Sequence, residues 1–118
     1  VNLKLDIKPI SINTCWAGRR FKTPKYTQYE KDIYWLLQTN KYKPEQEISE
    51  SERIAVVFTF HLKSILKGDI DNPVKPLLDL LVKNGFIKDD RYIMALHIYK
   101  VKAEKDSVEI EIMEQTNV

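Results

Sequence analysis

Apolar residues recur along this chain with two distinct periods. Leu3, Leu5 and Ile7 alternate with polar neighbours, which predicts a short half-buried strand. Tyr26, Tyr29, Ile33, Leu36 and Leu37 return at helical spacing and predict a first helix over residues 24–40, with Thr23 as its N-cap and Pro24 at its first position. The stretch before that helix, "KPISINTCWAGRRFK", reads as a long polar loop, and "NKYKPEQEISESE" after it as a connecting loop. In "RIAVVFTFHL", β-branched and aromatic residues dominate, with Ile54, Val56, Phe58, Phe60 and Leu62 on one face. That is the pattern of a central strand.

A second helix is predicted over residues 73–84. Asp71 or Asn72 would cap it, Pro73 suits its first position, and Gly85 supplies a left-handed residue just past its end. Val74, Leu77, Leu78 and Leu81 form its apolar stripe, and Pro76 places the regular hydrogen-bond ladder later than Pro73. "RYIMALHIYKVK" and "SVEIEIME" read as two strands joined by "AEKD" in a hairpin, with Val108, Ile110 and Ile112 inward and Glu109 and Glu111 outward. The order β-α-β-α-β-β predicts an α+β fold of two layers, a mixed four-stranded sheet with two helices, as one domain over residues 1–118.

The composition fits that expectation: of 118 residues, 43% are hydrophobic and 31% charged, as in a soluble globule. No apolar run approaches the ~20 residues of a membrane span, so no membrane partner is expected. Cys15 has no second cysteine to pair with, which makes a reducing, cytoplasmic location the default. The net charge of +2 hides an asymmetry. Lys8, Arg19, Arg20, Lys22 and Lys25 lie in a stretch without acids, interleaved with Trp16 and Phe21, whereas acids dominate from Glu104 onward. Such a basic arm is either solvated surface or a track for a phosphate backbone.

Acidic residues crowd the start of the second helix. In an extended segment Asp69 and Asp71 point to one side about 7 Å apart, and positions 71, 75 and 79 follow at helical intervals of four. Carboxylates placed together repel unless a cation joins them, and oxygen ligands suit a hard ion such as Mg²⁺. The alternative is structural: a cap at Asp71 or Asn72, an ion pair between Asp79 and Lys75 or Lys83, and a turn at Asp89–Asp90. Reach permits either. A 12-residue helix advances ~18 Å, and the six residues from Gly85 to Asp90 span ~20 Å when extended. Asp90 therefore returns to the Asp69/Asp71 end only along a straight path, or meets that site in a partner subunit. His61 and His97 sit in strand patterns without zinc-type spacing, and Cys15 has no nucleophile context.

Taken in order, these motifs resemble the RusA family of Holliday junction resolvases. "GDIDNPVKPLLDLLVKNGFIKDDRYI" matches the family's D-x-D-N, a lysine three residues after the Asn, a helix ending near Gly-Phe, and a paired Asp-Asp. "PISINTCW" is similar to its P-x-S-x-N segment, and "GRRFKTPKYTQYEKDI" to its basic loop leading into the first helix. The resemblance implies a metal-dependent endonuclease that acts as a homodimer on four-way junction DNA and is often phage-encoded. It places the catalytic, Mg²⁺-binding acids at Asp69, Asp71 and Asp90 and the catalytic lysine at Lys75, with Asp89 and Asn72 in support, and Asp79, one helical turn beyond Lys75, is placed to orient that lysine. Members can carry an arginine-rich run before D-x-D, where this chain has "KSILKG" with only Lys63 and Lys67 basic. DNA contacts are then expected from Arg19, Arg20, Lys22, Lys25 and Lys67. Rival expectations are a structure-specific DNA-binding module without catalysis, which needs the arm but not the acids, and a small-molecule phosphate enzyme, which needs the reverse. The dimer surface is expected among Ile65, Leu66, Trp16 and Phe21.

Overall fold

The structure, a computed structural model, describes residues 2–18, 21–39, 53–66 and 68–115. Its elements are β1 (Asn2–Leu5), β2 (Trp16–Ala17), β3 (Phe21–Lys22), α1 (Pro24–Thr39), β4 (Ile54–Leu62), α2 (Val74–Lys83), β5 (Ile93–Lys102) and β6 (Ser107–Glu114), with single 3₁₀ turns at Ile12–Thr14 and Asp90–Tyr92. The architecture is α+β: two helices on a mixed four-stranded sheet, with a small ribbon of β2 and β3 beside it. The segment expected as polar loop thus contains a 3₁₀ turn and a two-stranded ribbon. The ribbon has only two residues per strand, too few to show an alternating pattern. The loop expected after α1, residues 40–52, lies outside the described residues.

Sheet order is β1-β6-β4-β5. β6 runs antiparallel to both β1 and β4, and β4 runs parallel to β5. The expected hairpin between β5 and β6 is therefore wrong: both strands exist, but β4 lies between them. The connector arches over the end of β4, where the Ala103 N–H donates to the Leu62 carbonyl at 2.9 Å and the Lys63 N–H to Asp106 Oδ1 at 2.9 Å. Two strand spacings are about 9.6 Å, well within the reach of four residues. Burial explains why β4 takes the middle. Ile54, Val56, Phe58 and Phe60 are almost fully buried, whereas β5 exposes Met94, Leu96, Tyr99 and Val101 and tolerates an edge.

One apolar cluster joins the sheet to both helices. Leu5, Phe58, Phe60, Ile110 and Ile112 meet Ile33 and Leu37 of α1 and Leu77, Leu80 and Leu81 of α2. Leu80 takes the buried place expected for Leu78, which is only partly covered. The helix ends follow local chemistry. Thr23 Oγ1 accepts from the Tyr26 N–H at 3.2 Å, as expected of an N-cap. Past α2, the Phe86 N–H reaches the Leu81 carbonyl at 2.9 Å and the Gly85 N–H the Val82 carbonyl at 3.1 Å. Gly85 has φ +82°, so these bonds form a Schellman ending.

The start of α2 departs from expectation in a way that bears on function. Pro73 is the cap residue and makes no side-chain cap bond, so neither the Asp71 nor the Asn72 side chain closes the helix. Pro76 then falls in the first turn, where a missing N–H costs no ladder bond.

Candidate active site

The loop from β4 to α2 carries the first two acids, and other elements hold its backbone. Lys100 of β5 donates from Nζ to the carbonyls of Ile65 (3.0 Å) and Gly68 (2.8 Å), and Lys102 Nζ donates to the carbonyl of Lys63. Gly68 has φ +74°, a conformation that side chains resist, immediately before Asp69. The Asn72 N–H closes back on the Asp69 carbonyl at 3.2 Å, and the Val74 N–H on the Asp71 carbonyl at 3.1 Å. The Ile12 N–H donates to the Asn72 carbonyl at 2.9 Å, which docks the Pro9–Asn13 segment onto the acidic loop. Two motifs distant in sequence therefore share one place. The carboxylates of Asp69 and Asp71 are on exposed residues and form no ion pair or hydrogen bond with the described residues.

The remaining charged residues collect along the solvent side of α2. Lys75 Nζ lies 2.8 Å from Asp79 Oδ1, one turn on, and 3.6 Å from Asp90 Oδ2. Asp90 thus comes back beside the start of α2 within the same chain. The hydrogen bond to Asp79 is the main reason the Lys75 pKa is raised; partial burial opposes it, and the charges of Asp79 and Asp90 add to it. Lys75 is therefore a protonated cation held by two carboxylates. Asp89 does different work. It caps the 3₁₀ turn at Asp90–Tyr92, accepting from the Arg91 N–H at 3.0 Å. That backbone bond, with the Arg91 charge adding to it, sets its pKa below the ordinary carboxylate value. Asp89 shapes the turn that presents Asp90.

Among the described residues, no three Asp, Glu, His or Cys side chains are gathered closely enough to hold a metal ion. Asp69 and Asp71 nonetheless fit one chemically: they are exposed oxygen donors with no cation or cap to satisfy them among the described residues. A Mg²⁺ ion commonly takes one or two carboxylates and completes its shell with water and substrate phosphate.

The expected DNA-contacting residues divide. Arg19, Arg20 and Lys67 lie outside the described residues. Lys22 is engaged with Glu30 at 2.9 Å, and Lys25 is exposed. Trp16 tilts against Tyr26 with ring centroids 6.0 Å apart, while Phe21 is 73% exposed and free to stack on a base. His61 pairs with Glu109 at 3.0 Å, His97 is exposed, and Cys15 is buried with its thiol pKa pushed up chiefly by that burial. Lys100 and Lys102 were missed as supports of the acidic loop. Their signal was faint: two lysines two residues apart, on the strand face that also carries Ile98.

An exposed acidic loop is thus braced from beneath by Lys100 and Lys102 and followed, at the start of α2, by a protonated lysine. The family described as "Endodeoxyribonuclease RusA" matches residues 11–113, and the chain belongs to it. Crossover junction endodeoxyribonuclease RusA of Aquifex aeolicus (strain VF5) is 35% identical over 97 residues, covering 81% of this chain and 74% of that protein. Crossover junction endodeoxyribonuclease rusA of Enterobacteria phage HK97 is 27% identical over 114 residues, 93% of this chain and 92% of that one.

Proposed function

We propose that this chain is a Mg²⁺-dependent endonuclease that resolves four-way DNA junctions by paired symmetric nicks, as a homodimer. The observation that carries the reading is Asp90 beside Lys75, in the same chain whose uncapped Asp69 and Asp71 open α2. Asp69 and Asp71 are the residues that would hold the ion, and Asp90, which this structure sets against Lys75 rather than with them, would have to turn from that lysine to complete the set. A Mg²⁺ ion held there would supply an activated water and offset the charge of the phosphate. Lys75, which stays protonated, directs its ammonium N–H groups at the oxygens on which charge builds in the transition state. Asp79 keeps that ammonium in place, which spares it reorganisation during the reaction. Arg19, Arg20, Lys22, Lys25 and Lys67 track the backbone of the junction arms.

A junction offers two equivalent strands, and symmetric resolution requires two such centres related by a two-fold axis, which a C₂ homodimer provides. The test is incubation of a synthetic four-way junction with Mg²⁺ beside a linear duplex. Paired nicks in the junction, a spared duplex and a sedimenting species of twice the 13.9 kDa chain mass are expected. An intact junction, or equal cutting of both DNAs, overturns the reading.

A further inference from the structure

Asp69 and Asn72 also line an open cleft of about 380 Å³ whose other wall residues have no part in the mechanism described. Its volume lies in the small-molecule range of ~300–1,000 Å³, too small for a duplex segment and suited to one nucleotide. The lining is chemically divided. Pro9, Leu62 and Pro73 give apolar walls. Lys8, Lys63, Asn72 and Ser11 bring hydrogen-bond donors. Among the described residues the ammoniums of Lys8 and Lys63 and the carboxamide of Asn72 have no protein partner. Ser11 Oγ accepts from the Asn13 N–H at 3.2 Å, so its own proton remains to be given. Lys100 spends two of its three protons on the Ile65 and Gly68 carbonyls, leaving one. Three lysines face two aspartates, Asp69 and Asp106, and Asp106 is already engaged by the Lys63 N–H.

From this we infer that the cavity is a nucleotide pocket, which takes one unstacked deoxynucleotide of the strand being cut. Its phosphate meets Lys8 and Lys63, and its base lies between Pro9 and Pro73 with an edge against Asn72 and Ser11. The inference rests on the DNA-cutting reading for the identity of the strand. It adds a source of structure selectivity. Taking a base out of a stack costs a few kcal/mol in duplex DNA and least where stacking is already broken, as at a crossover. A pocket beside the acidic loop therefore favours junctions over linear DNA before any bond is cut.

Two metal-free measurements test it, apart from cleavage. A deoxynucleoside 5′-monophosphate titrated into the labelled protein should shift the amide resonances of Ser11, Lys63 and Asn72. In a junction carrying 2-aminopurine at the crossover, fluorescence should rise on binding as that base leaves the stack. Lys8→Ala with Lys63→Ala should abolish the rise and weaken junction binding at least tenfold while duplex binding falls less. Lys8→Ala alone, at an exposed position, should show the same changes at smaller size and serves if the double variant does not fold. Shifts scattered over the surface, no fluorescence change, or an equal loss for junction and duplex would each refute the pocket. A wild-type protein that shows the shifts and the rise but leaves junctions uncut would overturn the function and keep the pocket.

Discussion

Two clusters of acid and lysine flank the helix pair, and they are built on opposite principles. At the first, Glu30 of α1 receives Lys22 of β3 at 2.9 Å and Lys83 of α2 at 3.0 Å. One carboxylate, only 14% exposed, is matched by two ammoniums and ties three elements together. At the second, Asp79 and Asp90 share the ammonium of Lys75, while Asp69 and Asp71 have no basic partner among the described residues. The first cluster is complete and half-buried; the second is open and short of positive charge. Both are built from carboxylates and lysine ammoniums. The ratio of charges, and access to water, separate a structural joint from a site left open to a cation from outside.

Removing a charge from each cluster should break different properties. Asp71→Asn is expected to cut junction cleavage by about 10²–10³-fold, the scale of losing a group that stabilises transition-state charge. Its Tm should stay within a few degrees, because the Asp71 carboxylate contacts no described residue. Junction binding should persist or tighten, since a negative charge facing phosphates has gone. Lys75→Met should lower cleavage by about 10²-fold through the same loss of charge stabilisation. Gel assays of cleavage and binding, with a melting curve for each variant, decide the matter. A normal cleavage rate in Asp71→Asn would return the acidic loop to a merely structural role.

Glu30→Gln should do the reverse: normal cleavage per folded molecule, but a stability loss of about 1–2 kcal/mol from leaving two lysines without their shared acceptor. For a chain near this size that lowers Tm by roughly 4–8 °C per kcal/mol. The pH dependence sharpens the test. Burial pushes the Glu30 carboxyl up, but the hydrogen bonds and charges of Lys22 and Lys83 outweigh it, and its pKa is below the ordinary 4.5. The folded state thus binds its proton less readily than the unfolded chain. Its stabilisation is fully present above pH 4.5 and is lost as pH falls through the lower folded value. The Tm gap between wild type and variant should be widest above that pH and shrink below it. A gap that grows on acidification would contradict the ion-pair account.

Legibility in the sequence tracked how local each determinant is. Both helices, the 54–62 strand, the cap at Thr23 and the ending at Gly85 depend on near neighbours, and the pattern carried them. Strand pairing did not show, because the four residues between β5 and β6 serve equally for a hairpin or for an arch over a third strand. The acids were visible as a cluster, and the family resemblance grouped Asp90 with Asp69 and Asp71, whereas the structure sets Asp90 beside Lys75. What the pattern hid were contacts from remote backbone: Lys100 gripping the loop before Asp69, and Ile12 docking on Asn72. The Glu30 joint was hidden too, since its lysines come from positions 22 and 83.

The smallest effect is expected one residue before that joint. Tyr29 lies on the buried side of α1, and its hydroxyl has no hydrogen-bond partner among the described residues. Burial is the main cause of its raised pKa, so the phenol stays protonated throughout the working range. A buried O–H without a partner carries its desolvation penalty uncompensated, about 1–3 kcal/mol, whereas an apolar group of the same shape carries none. Tyr29→Phe keeps the ring that packs against the core and removes only the oxygen. The space left is small, so part of the gain is offset by lost contacts. The net expectation is stabilisation by up to about 1 kcal/mol, with unchanged cleavage and an unchanged acid limb, because the Glu30 bonds are untouched. Melting curves of Tyr29→Phe alone and combined with Glu30→Gln measure it. A fall in Tm that disappears in the Glu30→Gln background would instead mean that the hydroxyl supports the joint, and the two neighbouring residues would have to be treated as one unit.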